Sequence, residues 1–190
     1  MRTARRTAGL ALPAIMLLAQ GCTVSNVDFS TIERPERAAE LDAYNVFVGT
    51  WDWEATMANA EEANKAWTGQ AKWDWTLDRR CLEGRMSAKS ADAEFESLGV
   101  WSWHPKKDKY IWWMFNNWGY PQEGTARYDE SSRTWTMKYE SVGLDGTSSR
   151  GYYEMKVVDN NTLSWRVEEW ADGMHMVKKL DMTGTYKRRG

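Results

Sequence analysis

Trp67-Thr68-Gly69-Gln70-Ala71-Lys72-Trp73-Asp74-Trp75-Thr76-Leu77 alternates apolar or small residues with polar ones without a break. A side-chain period of two belongs to a strand with one buried face and one wet face. The same alternation sets Trp51, Trp53, Ala55 and Met57 against Asp52, Glu54 and Thr56, and Trp135, Met137 and Tyr139 against Thr136, Lys138 and Glu140. Turn-forming clusters at Pro105 to Asp108, Asp129 to Arg133, Gly143 to Gly146, Asp159 to Asn161 and Asp172-Gly173 lie between such runs, and each reads as a hairpin. The pattern predicts strands at 46–57, 66–79, 81–89, 94–104, 109–117, 121–128, 134–141, 148–158, 162–170 and 174–188, with no long helix among them. So many short-looped strands must shelter their edges, either in a closed barrel or in a sandwich. Consecutive hairpins favour an all-β, closed, antiparallel up-and-down barrel of about ten strands.

The chain has 190 residues, the size of one domain, and 13 of them are Trp. One parity carried through the strands puts Trp51, Trp53, Trp67, Trp73, Trp75, Trp101, Trp103, Trp112, Trp118, Trp135 and Trp165 inside, with Trp113 and Trp170 outside. The three W-x-W copies are then pairs of inward neighbours on one strand.

Phe47-Val48-Gly49-Thr50-Trp51 resembles the G-x-W signature of the calycin superfamily, the lipocalin-like barrels, whose Trp closes the barrel base. Gly184-Thr185-Tyr186-Lys187-Arg188 stands where such barrels often pack a basic residue over that Trp. Leu82-Glu83-Gly84-Arg85, Gly99-Val100-Trp101, Lys109-Tyr110 and Gly124 to Asp129 follow the order of a secreted bacterial calycin-like family of unknown function. The resemblance spans about residues 44–188 and implies the fold, with no catalytic residue to carry over. Members tend to have Gly-Tyr-Asp after the equivalent of Val100, where this chain has Trp101-Ser102-Trp103-His104-Pro105, a departure consistent with a specialised pocket.

Ahead of the barrel, Arg2, Arg5 and Arg6 precede an apolar stretch from Ala8 to Ala19, the layout of a secretory signal too short to span a bilayer. Leu18-Ala19-Gln20-Gly21-Cys22 resembles a bacterial lipobox, which implies residues 1–21 as a lipoprotein signal peptide and a lipid on Cys22. A plain signal peptide with a chance cysteine is the alternative. Thr at position 23, rather than Asp, points to the outer membrane facing the periplasm, so the expected location is a lipid-anchored one in the cell envelope. Residues 22–44 read as a tether and a short helix, with Pro35 in the first turn and Ala38, Ala39 and Leu41 toward a core; residues 45–190 are the barrel domain. If Cys22 is acylated, Cys81 has no intramolecular disulfide partner. All acidic residues lie after Cys22 and three arginines before it, so the mature part is more acidic than the −2 of the whole chain. Without a basic run, nucleic acid is not an expected partner.

A pocket uses few polar groups to orient its ligand, and by parity the inward polar residues are Ser97, Asn116, Glu169 and Lys178. Glu169 and Lys178 flank the Asp172-Gly173 turn at similar distance, so they are expected to face one another, as an internal ion pair or as a half-solvated pair at the rim. Asn116-Asn117-Trp118-Gly119-Tyr120 reads either as a ligand-stacking segment or as an ordinary loop. His175 between Met174 and Met176 invites a haem or copper reading, but parity turns His175 outward, and the Met stripe reads as core filling. His104 falls in an exposed hairpin turn. No nucleophile, phosphate-loop, dinucleotide or zinc motif occurs, so no catalytic residue, metal or cofactor is expected.

Two readings of the interior stand side by side. In one, the barrel is a binding module for a small apolar or aromatic ligand, contacted by Trp73, Trp75, Trp101, Trp103, Trp112, Asn116, Trp118, Trp135, Glu169 and Lys178. In the other, Trp and Met fill the interior, and the protein has a structural or assembly role at the envelope. A haem-binding barrel or an enzyme is a third, less favoured option.

Overall fold

A computed structural model describes residues 28–142, 146–171 and 177–190. Two compact units divide the chain, Met1–Pro35 and Glu36–Gly190. In the first, Asp28 accepts hydrogen bonds from the Ser30 N–H and hydroxyl at a single 3₁₀ turn, Phe29–Thr31. The expectations for residues 1–21 and for Cys22 lie outside the described residues.

The second unit is the barrel. Its strands are β1 (Gly49–Met57), β2 (Ala66–Thr76), β3 (Cys81–Lys89), β4 (Glu94–His104), β5 (Lys109–Asn116), β6 (Gln122–Asp129), β7 (Thr134–Val142), β8 (Ser148–Asp159), β9 (Thr162–Ala171) and β10 (Lys178–Arg188). Each pairs antiparallel with its neighbours in the chain, and β1 also pairs with β10 to close the ring. Closure removes every sheet edge, as the hairpin pattern anticipates.

Three departures at element ends have local causes. β1 starts at Gly49 rather than 46, because a 3₁₀ helix, Ala39–Val46, runs up to it. Gly49 takes a φ of +128°, and the Arg188 guanidinium sits 2.7 Å from where a Cβ would stand. β2 stops at Thr76 rather than 79, since Leu77, Asp78 and Arg79 all adopt left-handed φ angles in the turn to β3. The helix departs as well: Leu41 and Tyr44 are its buried residues, whereas Ala39 is exposed and Pro35 precedes its first turn.

That helix closes one end of the barrel. Tyr44 stacks on Trp135 at 4.8 Å and meets Tyr110 edge-on at 5.1 Å, while the Tyr110 hydroxyl donates to the Glu40 carbonyl at 2.8 Å. Trp51, 0% exposed, donates its indole N–H to the Phe47 carbonyl. Arg188 lies over the Trp51 ring at 4.1 Å and donates to the carbonyls of Val46, Val48 and Asn160. First and last strands are thus tied to the helix by one side chain, whose donors satisfy carbonyls the helix end leaves open.

Parity holds for most tryptophans. Trp51, Trp53, Trp67, Trp73, Trp112, Trp135 and Trp165 are buried, and Trp75, Trp101 and Trp103 half-buried. Trp113 is exposed on the outer face and Trp170 half-buried there, beneath Lys178. Trp118 departs: it is 42% exposed because it stands in the β5–β6 connection, beyond the last paired residue of either strand.

Candidate functional site

Five inward aromatic residues face a glycine on the next strand: Trp53 faces Gly69, Trp73 faces Gly84, Trp112 faces Gly124, Tyr139 faces Gly151 and Trp165 faces Gly184. Each of these side chains has ring atoms within 3.0 Å of where that glycine's Cβ would stand, and at Gly69, Gly124 and Gly184 a neighbouring backbone carbonyl is closer still. A Cβ on Gly184 would stand 2.6 Å from the Trp165 ring, and one on Gly69 2.7 Å from the Trp53 nitrogen; on Gly84 or Gly151 it would overlap the ring outright. Trp101 lies likewise over Gly99 of its own strand. Rings laid against the wall do not fill the axis. The barrel therefore keeps a cavity of about 750 Å³ despite its indole content, a volume within the range of small-molecule sites, roughly 300–1,000 Å³.

The cavity runs from a floor of Phe47, Trp73 and Tyr186 to a mouth at Asn116, Trp118, Tyr120 and Val142. One side wall is the edge-to-face pair Trp112–Tyr139, with ring centroids 5.5 Å apart; the other is Tyr153 stacked on Trp165 at 5.7 Å, with Trp53 edge-on to Trp165 at 5.9 Å. Met86, Met114, Met137, Met155 and Met182 fill the spaces between rings, a use suited to a flexible thioether. The indole N–H groups of Trp53, Trp112 and Trp165 are buried without an acceptor among the described residues.

Among the described residues Glu169 is the carboxylate of this wall, 9% exposed. It accepts hydrogen bonds from the Ser149 hydroxyl at 2.6 Å and the Tyr139 hydroxyl at 3.0 Å. Burial, reinforced by the Glu169 charge, pushes the Tyr139 phenol well above its ordinary pKa, so it remains a donor. Burial and the neighbouring Tyr186 raise Tyr153 likewise.

Among the candidate contacts, Trp73, Trp101, Trp112, Asn116, Trp118 and Glu169 border the cavity. Trp75, Trp103 and Trp135 do not: they belong to the closed end, where Trp75 donates to Asn45 Oδ1 between Arg37 and Arg79, and Trp103 and Trp135 pack against Tyr110. Lys178 is also corrected. A bulge between Lys178 and Leu180 sets Leu180 opposite Glu169 and Lys178 opposite Trp170, which turns the ammonium outward to Glu168 at 2.5 Å and Asp181 at 2.8 Å. The Glu169–Lys178 pair expected from the turn does not form.

Asn116 borders the mouth, yet its amide is taken up locally, donating to the Tyr120 carbonyl and accepting from the Trp118 and Tyr120 N–H groups. It shapes the loop that presents Trp118, whose indole donates to the Glu94 carbonyl and whose ring meets Phe95 edge-on at 5.5 Å. Ser97 lines the cavity, as its parity predicts. His104 is half-buried at the end of β4 rather than exposed, its Nδ1 accepting from the Lys107 N–H. His175, Met174 and Met176 lie outside the described residues. Cys81 is half-buried and unpaired among the described residues, and within them no group of three or more His, Cys, Asp or Glu gathers to hold a metal ion. What the described wall offers is a shaped apolar enclosure with one oriented carboxylate.

Sequence reasoning places Trp53, Trp67, Trp165 and Tyr139 inside without naming them as contacts, and it misses Ser149 and Tyr153. The signal that finds the wall is the inward glycine facing each aromatic residue one strand over.

Neither a protein-family model nor a curated protein matches the chain. Among solved structures it is similar to Rv2717c from M. tuberculosis, at 10% identity over 82% of this chain and 100% of that one, with a TM-score of 0.58. A de novo designed fluorescence-activating β-barrel aligns over 78% of this chain and 98% of its own, at 17% identity and a TM-score of 0.43. The likeness to the M. tuberculosis protein is one of fold: a closed β-barrel.

Proposed function

We propose that this protein is an envelope lipoprotein whose barrel binds one small apolar or aromatic molecule. The observation that carries the binding reading is the hollow of about 750 Å³ kept open by rings lying on glycines. A barrel packed solid for a structural role would have side chains filling its axis at the close-packed density of protein interiors. The envelope half of the reading rests on the signal-like stretch before Cys22 and on the lipobox resemblance. Acylation of Cys22 would tether a domain whose sequence after Cys22 is net acidic.

Naphthylmethanol, uncharged and flat, is a suitable probe. Wild-type protein is expected to bind one equivalent, read by saturable quenching of Trp fluorescence and by native mass spectrometry. Met137→Trp, which adds an indole to the cavity wall, is expected to abolish uptake while the variant stays folded. Absence of binding to wild type, or undiminished binding to that variant, refutes the cavity reading.

A further inference from the structure

The cavity wall is mostly apolar, built largely of aromatic residues and methionines, yet Glu169 stands in it. Its two oxygens accept one hydrogen bond each, from Ser149 and from Tyr139, and a carboxylate has about four acceptor positions. About half of its hydrogen-bonding capacity therefore remains for another donor. Among the described residues Glu169 has no ion-pair partner. Of the two described cations that border the cavity, Arg85 is exposed and pairs with Glu83, and Lys179 is exposed at the rim. Lys178, two strand positions from Leu180, is committed to Glu168 and Asp181 on the outer face.

A buried carboxylate without a cation is costly, and a cation entering the site offsets that cost. The surroundings add to the preference, because the faces of Trp and Tyr rings attract positive charge. Tyr139 donates to Glu169 and meets Trp112 edge-on; Trp165 lies on the same strand as Glu169. Residues 165 and 169 are separated by roughly 13 Å along β9, with Val167 between them on the same face. A molecule with its charge at Glu169 can reach the Trp165–Tyr153 stack with one or two fused rings. Glu169 also lies toward the mouth, opposite Gly151 and Leu180, so a polar head there faces the solvent end and its rings point to the floor.

We propose that the cavity selects hydrophobic amines: a protonated amine docks on Glu169 and its aromatic or aliphatic body lies among Trp112, Tyr153 and Trp165. This rests on the cavity being the binding site. Three probes of matched size separate the two statements: naphthylmethylamine, naphthylmethanol and naphthoic acid, titrated by calorimetry in about 0.15 M salt to screen the acidic surface. In wild type the ammonium is expected to bind at least about ten-fold more tightly than the alcohol, with the carboxylate weakest. Glu169→Gln keeps the side-chain shape and is expected to bring the ammonium-to-alcohol affinity ratio down to about one. Equal binding of ammonium and alcohol by wild type overturns the amine proposal and leaves the cavity reading standing, with no variant needed. A preference that survives in folded Glu169→Gln overturns the role of Glu169. Failure of all three probes to bind overturns the cavity reading itself.

Discussion

Replacing Gly151 by Ala adds one methyl group to β8 where the Tyr139 ring lies against the wall. The backbone there is ordinary strand, so no left-handed angle complicates the change, and the three nearest atoms to the new Cβ all belong to the Tyr139 side chain. The ring has to swing toward the axis. That movement breaks the 3.0 Å hydrogen bond to Glu169, a loss of about 1.5–3 kcal/mol for a bond to a charged acceptor. An off-rotamer ring adds about 0.5–1.5 kcal/mol. Ala in place of Gly within a strand returns about 0.5–1 kcal/mol, which leaves a net destabilisation of about 2 kcal/mol. Denaturant melts measure it, and the double variant isolates the cause: with Tyr139→Ala in place, Gly151→Ala is expected to be neutral or stabilising, a coupling of about 2–3 kcal/mol. The displaced ring also occupies part of the hollow, so naphthylmethanol binding weakens in the single variant. Wild-type stability and affinity in Gly151→Ala would refute the idea that glycine holds the ring on the wall.

The two ends of the barrel are expected to respond differently to loss of an indole: Trp135→Ala, fully buried against Tyr44 and Tyr128, should cost about 3–5 kcal/mol in a urea melt with probe affinity retained, whereas Trp101→Ala on the cavity wall should cost less and weaken binding. Equal losses of stability would contradict that division. Burial raises the pKa values of Tyr44, Tyr110, Tyr139, Tyr153 and Tyr186, with Tyr110 pushed up to about 12. Their folded values lie above the unfolded value of 10.0, so the stability they contribute is fully present below that pH and is lost above it, where the unfolded chain sheds protons that the fold retains. The unfolding free energy from urea melts is expected to hold level to about pH 9.5 and then fall, by up to about 1.4 kcal/mol per pH unit for each such tyrosine; a level value to about pH 11 would contradict the burial. Cys22→Ser is expected to move the protein from the membrane fraction to the soluble one, and retention in the membrane pellet would refute the lipid anchor.

Strand positions were legible because alternation depends on residue type alone. β4 and β9 begin where Glu94 and Thr162 resume the alternation after turn residues, and the structure agrees to within a residue at either end. Parity also shows which residues point inward, but not what an inward ring does there. Whether Trp112 reaches the axis or lies on the wall depends on Gly124 facing it from β6, and that is a fact of register between strands. Depth along the barrel was equally hidden: Trp103 and Trp101 share a parity, but the helix carrying Tyr44 closes the end where Trp103 stands. Counting outward from the turn at Asp172-Gly173 pairs Glu169 with Lys178 only in a regular hairpin. The bulge at Lys179 inserts one extra residue and reverses the face of Lys178.

The central claim, that aromatic rings lying on glycines leave the barrel hollow, is tested most directly by diffraction from crystals equilibrated with xenon, an atom that enters apolar cavities and needs no knowledge of the natural ligand. Xenon density is expected inside the barrel, between the Trp112–Tyr139 wall and the Trp165–Tyr153 stack, with the rings still lying over Gly124, Gly151 and Gly184. An interior without a xenon site, occupied along its axis by the indoles of Trp112 and Trp165, would contradict it.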